Sequence, residues 1–315
     1  MFASTMRGPN ILLRETAWMW SFCYGDQMLT LDEKKIRKGK PVGLPYQGSK
    51  KKISKKIVEI IKQNFGTDKV IYDVFGGGGA ITAECLLNGL EVHYNDLDKD
   101  ITDMFQRVIS QDREWIKTLI VSRDEFFEIK NKDIKAVDDN LKLLINSFGN
   151  NKRTYLYSEE WSDVKYNLAI EIIDKHDVFS GYKQTDIYRK ARTVNGYQLQ
   201  QLERLERLQQ LEQLQQLERL EPTNLSYEAF SNIEGAIFYL DPPYENTTHA
   251  TYKGEFDSQK FYDWAYEMSK KNIVIVSSYE ISDDRFECVY EFEKARSTMQ
   301  GGSSGKRTEK LFMVA

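Results

Sequence analysis

The sequence predicts an α/β fold: one open sheet assembled from both ends of the chain, with polypeptide of a different character inserted between the halves. Three observations carry this reading. Residues 70–96 run strand, glycine turn, helix, strand, the pattern of a βαβ unit. Further strand-like runs lie late in the chain, at 236–241, 272–279, 286–292 and 310–315. Residues 105–222 instead hold helix-like apolar spacing followed by a low-complexity tract.

Taken in order, Lys34 to Lys56 carries ten lysines or arginines and no acid, so it reads either as a solvated surface or as an edge that faces an anion. Ile53, Ile57, Ile60, Ile61 and Phe65 recur every three or four residues and Gly66 closes them, which predicts a helix. Val70 to Phe75 is a short β-branched and aromatic run, a buried strand. The glycines 76–79 break it, Ala80 to Leu87 begins a helix, and Glu91 to Asp96 forms the next strand. Ser258 to Lys271 is helical, and a weaker strand is expected near Leu225 to Phe230.

Within the insert, Tyr155, Tyr157, Tyr166, Tyr182 and Tyr188 interleave with Lys152, Arg153, Lys165, Arg189, Lys190 and Arg192. That mixture suits stacking on bases and neutralising phosphates, and equally a tyrosine-packed subdomain with a charged surface. From Leu199 to Leu220, within the Leu-rich repeat 198–221, leucine then occupies every third position. At about 100° per residue each step falls about 60° short of a turn, so no straight seam forms and no heptad coiled coil is specified. A helix winding against its neighbours, a tighter helical form and an irregular spacer all stay open, and the tract is expected to act as a connector.

Composition narrows the classes. The chain has 315 residues, 41% of them hydrophobic, and its formal charge is 44 − 48 = −4. That length buries a full core, and the composition is that of a globular protein rather than a disordered or membrane-spanning one. The near-balanced charge argues against wholesale coating of nucleic acid while permitting a local basic face. Three scattered cysteines without a CxxC pair fit reduced thiols, and three dispersed histidines give no metal-ligand spacing, so no metal is expected. No basic start leads into a long apolar run, so a cytoplasmic location is expected.

Two short segments carry chemistry. Asp73-Val-Phe-Gly-Gly-Gly-Gly-Ala80 lies between a strand and a helix, where an open α/β sheet binds ligands at its carboxyl edge. A nicotinamide fingerprint needs GxGxxG, and from Gly76 or Gly77 the last glycine is replaced by Ile81 or Thr82. Asp96 ends the following strand, where a carboxylate can accept from both hydroxyls of a ribose. Tyr239-Leu-Asp241-Pro-Pro-Tyr244 ends another strand; its two prolines cannot continue a central strand and set a rigid turn. The turn leaves the Asp241 carboxylate and nearby carbonyls as fixed acceptors, with the flat face of Tyr244 suited to a base.

In their order these motifs resemble the AdoMet-dependent N(6)-adenine DNA methyltransferases, specifically the Dam-like alpha arrangement with phage-type members. Tyr46-Gln-Gly-Ser-Lys50 resembles the motif before the first strand, Asp73 to Gly79 the AdoMet loop, Asn95-Asp96 the ribose-binding acid and Asp241 to Tyr244 the catalytic tetrad. Ile275 to Tyr279 and Glu309 to Phe312 resemble later strands, and Ser147 to Asn150 followed by Tyr155 and Tyr157 is similar to phage members. The resemblance covers roughly residues 42–315; Val74 departs from it, standing where many members carry proline.

The resemblance implies a Rossmann-like class I AdoMet-dependent methyltransferase sheet with a largely helical target-recognition insert. Residues 41–104 and 223–315 would form the catalytic domain, 105–222 the insert, and 1–40 an extension outside the resemblance. Asp241 and the Pro242 carbonyl, in the turn fixed by Pro243, would accept the amino hydrogens of an adenine flipped from double-stranded DNA, with Tyr244 stacking on it. Phe75 would pack on AdoMet, Gly76 and Gly78 would allow close approach, Asp73 and Asp96 would hold its amino and ribose ends, and Asp241 would border both ligands. Tyr46 and Lys50 would close over its methionine portion. Lys152, Arg153, Arg189 and Arg192 are expected at the DNA surface. The same tetrad could serve RNA adenines, and an idle DNA-binding scaffold is the reading from another class; the pair Asp96 and Asp241 speaks against the scaffold.

Overall fold

A computed structural model describes residues 28–46, 48–189, 202–217, 220–245, 256–292 and 308–315. Helix α1 (Ser54–Phe65) buries Ile57, Ile60, Ile61 and Phe65 on one face and ends at Gly66, whose φ of 85° few side chains would tolerate. Strand β1 (Ile71–Asp73), helix α2 (Ala80–Leu87) and strand β2 (Val92–Tyr94) follow as the βαβ unit. Then come β3 (Ile237–Leu240), β4 (Ile273–Ser278), β5 (Phe286–Glu291) and β6 (Lys310–Val314).

The sheet order is β2-β1-β3-β4-β6-β5. The first four strands are mutually parallel, and β6 lies antiparallel between β4 and β5. Asp73 pairs with Tyr94 on one side and Tyr239 on the other, so the AdoMet-loop and tetrad motifs leave adjacent strands at the same edge. Because β6 runs the opposite way, its first residue Lys310 pairs with Ser278 at the end of β4, and the chain enters β6 at that same edge. The side-chain period of two sorts β4 cleanly: Ile273 and Ile275 join the core beneath α1, while Val274 and Val276 join the aromatic core around Phe238, Phe261 and Phe312. Helix α9 (Ser258–Ser269) supplies Phe261 and Ala265 to that second face.

Between β2 and β3 the described chain is helical: α3 (Lys99–Ile109), α4 (Arg113–Lys117), α5 (Arg123–Lys130), α6 (Val137–Asn146), α7 (Glu159–Lys175) and α8 (Glu203–Leu214). The leucine tract is not a connector. Leu205, Leu208, Leu211 and Leu214 of α8 are all fully buried, among Phe105, Ile116, Leu144 and Ile172 from the surrounding helices. A stripe drifting about 60° per step is satisfied because the helix has neighbours on several sides. The tract then tightens into a 3-10 turn, Gln215–Leu217. Leu199, with the rest of 198–201 and residues 218–219 of the repeat, lies outside the described residues.

The strand expected near Leu225 to Phe230 does not form; Tyr227–Phe230 is a 3-10 turn. The reason is Asn95. Its side chain accepts from the Leu225 N–H (2.9 Å) and donates to the Leu225 carbonyl (2.9 Å), using the groups a neighbouring strand would need. The chain returning from the insert meets the end of β2 at Thr223, which bridges to Asn95; Thr223 N donates to Tyr94 O (3.1 Å) and Asp96 N to Thr223 O (3.2 Å). Among the described residues no helix is long and apolar enough to cross a membrane.

Candidate active site

At the carboxyl edge of β1, β2 and β3 lies a cavity of about 350 Å³. Tyr46, Lys50, Asp73, Phe75, Gly76, Gly78, Asp96 and Asp241, all named from sequence, line it together, and Pro243 joins them. Leu97, Leu225, Tyr227 and Phe256 line it as well, and no motif spacing pointed to them. Phe75 contacts Tyr227 and Phe256 at 6.2 Å between ring centres, so the loop phenylalanine opens onto an aromatic wall.

Asp96 is held in place from two sides: Gly77 N and Asp98 N each donate to its carboxylate at 2.8 Å. Burial raises its pKa to about 6 against the pull of those two bonds. Asp73 lies deeper. One of its oxygens accepts from Thr82 N (3.1 Å) and Thr82 Oγ1 (2.7 Å), tying β1 to the first turn of α2, and burial lifts its pKa to about 7. Burial, then the carboxylates of Asp96, Asp98 and Asp241, push the Tyr46 phenol up to about 12.

The glycines also pack tightly against neighbouring parts of the chain. A Cβ at Gly76 would overlap the Tyr94 ring, and one at Gly78 would crowd Tyr46 Cβ at 3.1 Å and Leu44 O at 3.2 Å. Both line the cavity and leave room for these neighbouring atoms behind it. Gly79, at φ 70°, faces Phe105 of α3 in the same way.

Beside the cavity, Lys50 Nζ forms an ion pair with Asp241 Oδ1 at 2.8 Å and donates to the Tyr244 hydroxyl. That hydroxyl lies 3.0 Å from Asp241 Oδ1 and 2.7 Å from Glu309 Oε1. Ser277 Oγ donates to the same Glu309 oxygen at 2.6 Å, and Lys50 reaches it at 3.6 Å. Burial raises the Asp241 pKa and Lys50 draws it back; burial alone would lower Lys50, yet Asp241 and Glu309 together hold its ammonium above the ordinary range. The Tyr244 ring meets Tyr279 edge-on at 4.7 Å. Glu309 was quoted only as part of a strand-like run; an acid immediately before the last strand is the trace it leaves in sequence.

The insert's tyrosines do not face outward. Tyr155, Tyr157, Tyr182 and Tyr188 are buried, and the Arg204 guanidinium of α8 lies 4.7 Å from the ring centres of both Tyr155 and Tyr157. Arg207 donates to the carbonyls of Ile145 and Ser147, the latter at 2.9 Å, and so anchors the turn that follows α6. Beyond that turn Asn150 and Lys152 both have positive φ (57° and 59°). Arg153 and Arg189 are exposed and Lys152 is half-buried; Arg192 lies outside the described residues. The basic run 34–56 is neither a free surface nor an open anion edge along much of its length. Arg37 pairs with buried Glu84, Lys56 with Glu33, Lys50 with Asp241, and Lys55 donates to Gly39 O.

Chemically, the cavity fits a cationic nucleoside of AdoMet's kind. Asp73, Asp96, Asp98 and Asp241 outnumber the lining cations Lys50 and Lys99, an aromatic wall stands opposite, and Asp96 presents a fixed carboxylate. No match was found among curated proteins. A solved structure, the rRNA methyltransferase aviRa from Streptomyces viridochromogenes, is similar at 12% identity and a TM-score of 0.34, over 82% of this chain and 84% of that one. The sequence profile of the D12 class N6 adenine-specific DNA methyltransferases matches residues 46–297, from the tyrosine at the cavity mouth through the tetrad and β5. The chain belongs to that family of adenine-specific DNA methyltransferases.

Proposed function

We propose that Asp241, Pro242 and Tyr244 receive an adenine flipped out of duplex DNA and that its amino nitrogen takes the methyl group beside the cavity described above. The chain is a DNA adenine methyltransferase that uses AdoMet. The observation that carries the residue assignment is adjacency: Asp241 lines the cavity and also anchors the Lys50–Tyr244–Glu309 cluster at its rim.

AdoMet, when bound, supplies an electrophilic methyl on a sulfonium. Phe75 with Tyr227 gives its nucleoside an aromatic wall, Asp96 accepts from its ribose, and Tyr46 and Lys50 close over the methionine end. Asp73, already committed to Thr82, reaches the amino end with its remaining acceptor capacity. An adenine amino nitrogen is a weak nucleophile because its lone pair is conjugated with the ring. Asp241 and the Pro242 carbonyl accept its hydrogens, which favours rehybridisation toward attack, and Pro243 keeps that turn rigid. Positioning and electrostatics supply the rate, with no covalent enzyme intermediate.

In this reading the chain has the Dam-like alpha order. Residues 41–104 and 223–315 are catalytic, 105–222 recognise the target, and Lys152, Arg153, Arg189 and Arg192 meet the DNA backbone. The test is to treat unmodified genomic DNA with purified protein and AdoMet and to read it by modification-sensitive single-molecule sequencing. Methyladenine at one recurrent word is expected, and its absence from DNA treated with Asp241→Ala, which still binds AdoMet. Methylation of RNA alone, or undiminished turnover by Asp241→Ala, overturns the assignment.

A further inference from the structure

We propose that Glu309 is a positioning residue for methyl transfer: it takes up the Lys50 ammonium when the adenine amino group displaces Lys50 from Asp241. This rests on the reading of Asp241 as the acceptor for that amino group.

In the structure Asp241 is already engaged. Its Oδ1 pairs with Lys50 Nζ at 2.8 Å, and the Tyr244 hydroxyl, shared with Glu309, lies 3.0 Å from the same oxygen. The Lys50 ammonium also lies 4.9 Å from the centre of the Tyr244 ring, the side chain that is to stack on the base. An amino group that binds at Oδ1 therefore competes with the Lys50 ammonium for it.

Releasing Lys50 has a physical obstacle. Its side chain is largely buried, and a buried ammonium stripped of its partner costs far more than an exposed one. Glu309 removes the obstacle. Its Oε1 stands 3.6 Å from Lys50 Nζ, so a contraction to the 2.8 Å Lys50 now keeps with Asp241 gives the ammonium a full partner without a return to water. Ser277 Oγ, at 2.6 Å, holds that oxygen in place from β4, whose end pairs with the start of β6. The ammonium then passes between two carboxylates fixed on adjacent parts of one sheet edge, and Asp241 is freed at the moment the substrate needs it.

This role needs the charge of Glu309 more than its shape. Glu309→Gln keeps an acceptor for Ser277 and Tyr244 but removes the counter-charge; Glu309→Asp keeps the charge on a shorter arm. The measurement is the single-turnover rate of methyl transfer from labelled AdoMet to unmodified genomic DNA, with enzyme in excess, alongside AdoMet affinity by calorimetry. The Gln variant is expected to transfer methyl about tenfold more slowly with AdoMet affinity within about twofold, and the Asp variant to stay within about threefold of wild type. A merely structural role gives the opposite ranking, since Gln preserves the hydrogen bonds. Any result in which Gln is not the slower variant, or in which AdoMet affinity falls in step with rate, overturns the proposal. Wild-type protein that binds AdoMet and methylates no DNA overturns instead the reading beneath it, and is seen before any variant is made.

Discussion

Lys51 Nζ donates to the side-chain carbonyl of Gln210 at 2.6 Å, joining the segment at the cavity mouth to the middle of the leucine helix. The same ammonium reaches Gly43 O at 3.3 Å. Burial, reinforced by Arg207, lowers its pKa to about 8. Gln210→Leu removes the better acceptor from a buried donor, so a loss of about 1–3 kcal/mol is expected in denaturant unfolding at pH 7. The folded chain holds Lys51 less protonated than the unfolded chain does, so this group's contribution to stability rises with pH above about 8. The variant's deficit should therefore shrink as pH rises through about 8 and level off above it; a deficit that does not change as pH passes through that value would refute the link.

Asp73 carries a pH signature of the opposite sign. Its pKa is raised from an ordinary 3.8 to about 7, so between those values the folded chain keeps a proton that the unfolded chain has released. Stability then falls as pH rises toward 7. Asp73→Asn keeps an acceptor for Thr82 and removes the titration. Melting temperatures of ligand-free wild type and variant, compared from pH 4.5 to 8, should diverge progressively in the variant's favour as pH rises. Parallel curves would show that Asp73 does not titrate there.

The leucine helix makes a plain energetic prediction. Leu208→Ala opens a cavity in a fully buried position and should cost about 2–5 kcal/mol. Ile134→Ala, at a side chain 90% exposed, should stay within about 0.5 kcal/mol. Equal effects in chemical denaturation would mean that the helix is not core.

Neutralising Lys152, Arg153, Arg189 and Arg192 together to Gln should weaken DNA binding and flatten its salt dependence. Each lost phosphate contact removes about 0.9 from the slope of log affinity against log salt. Fluorescence titrations of a labelled duplex at several salt concentrations read this directly, and an unchanged slope would place the DNA elsewhere.

What could be read from sequence is what short-range pattern determines. The βαβ unit, the acid ending β2, the diproline turn after β3 and each strand of the sheet announce themselves through local spacing and glycine or proline chemistry. What escaped depends on direction and neighbours. The tyrosines at 155 and 157 alternate with basic residues, and only the fold shows that Arg204 approaches them from inside. The three-residue leucine repeat specifies no single seam, and only the fold shows that neighbours on several sides bury it. Glu309 reaches the site because β6 runs antiparallel, a choice of pairing no local pattern records. Leu225 to Phe230 has strand-like composition, yet one asparagine side chain had already taken its hydrogen bonds.

The meeting of Thr223 with Asn95 and Asp96 has a consequence for how such proteins diversify. The polypeptide leaves the sheet and rejoins it at Thr223 across two backbone hydrogen bonds, Thr223 N to Tyr94 O at 3.1 Å and Asp96 N to Thr223 O at 3.2 Å. That seam holds the two ends of the intervening chain side by side, and closing a longer excursion across it adds little entropy. The seam works as a socket: the loops between can lengthen or shorten while the strands on either side keep their places.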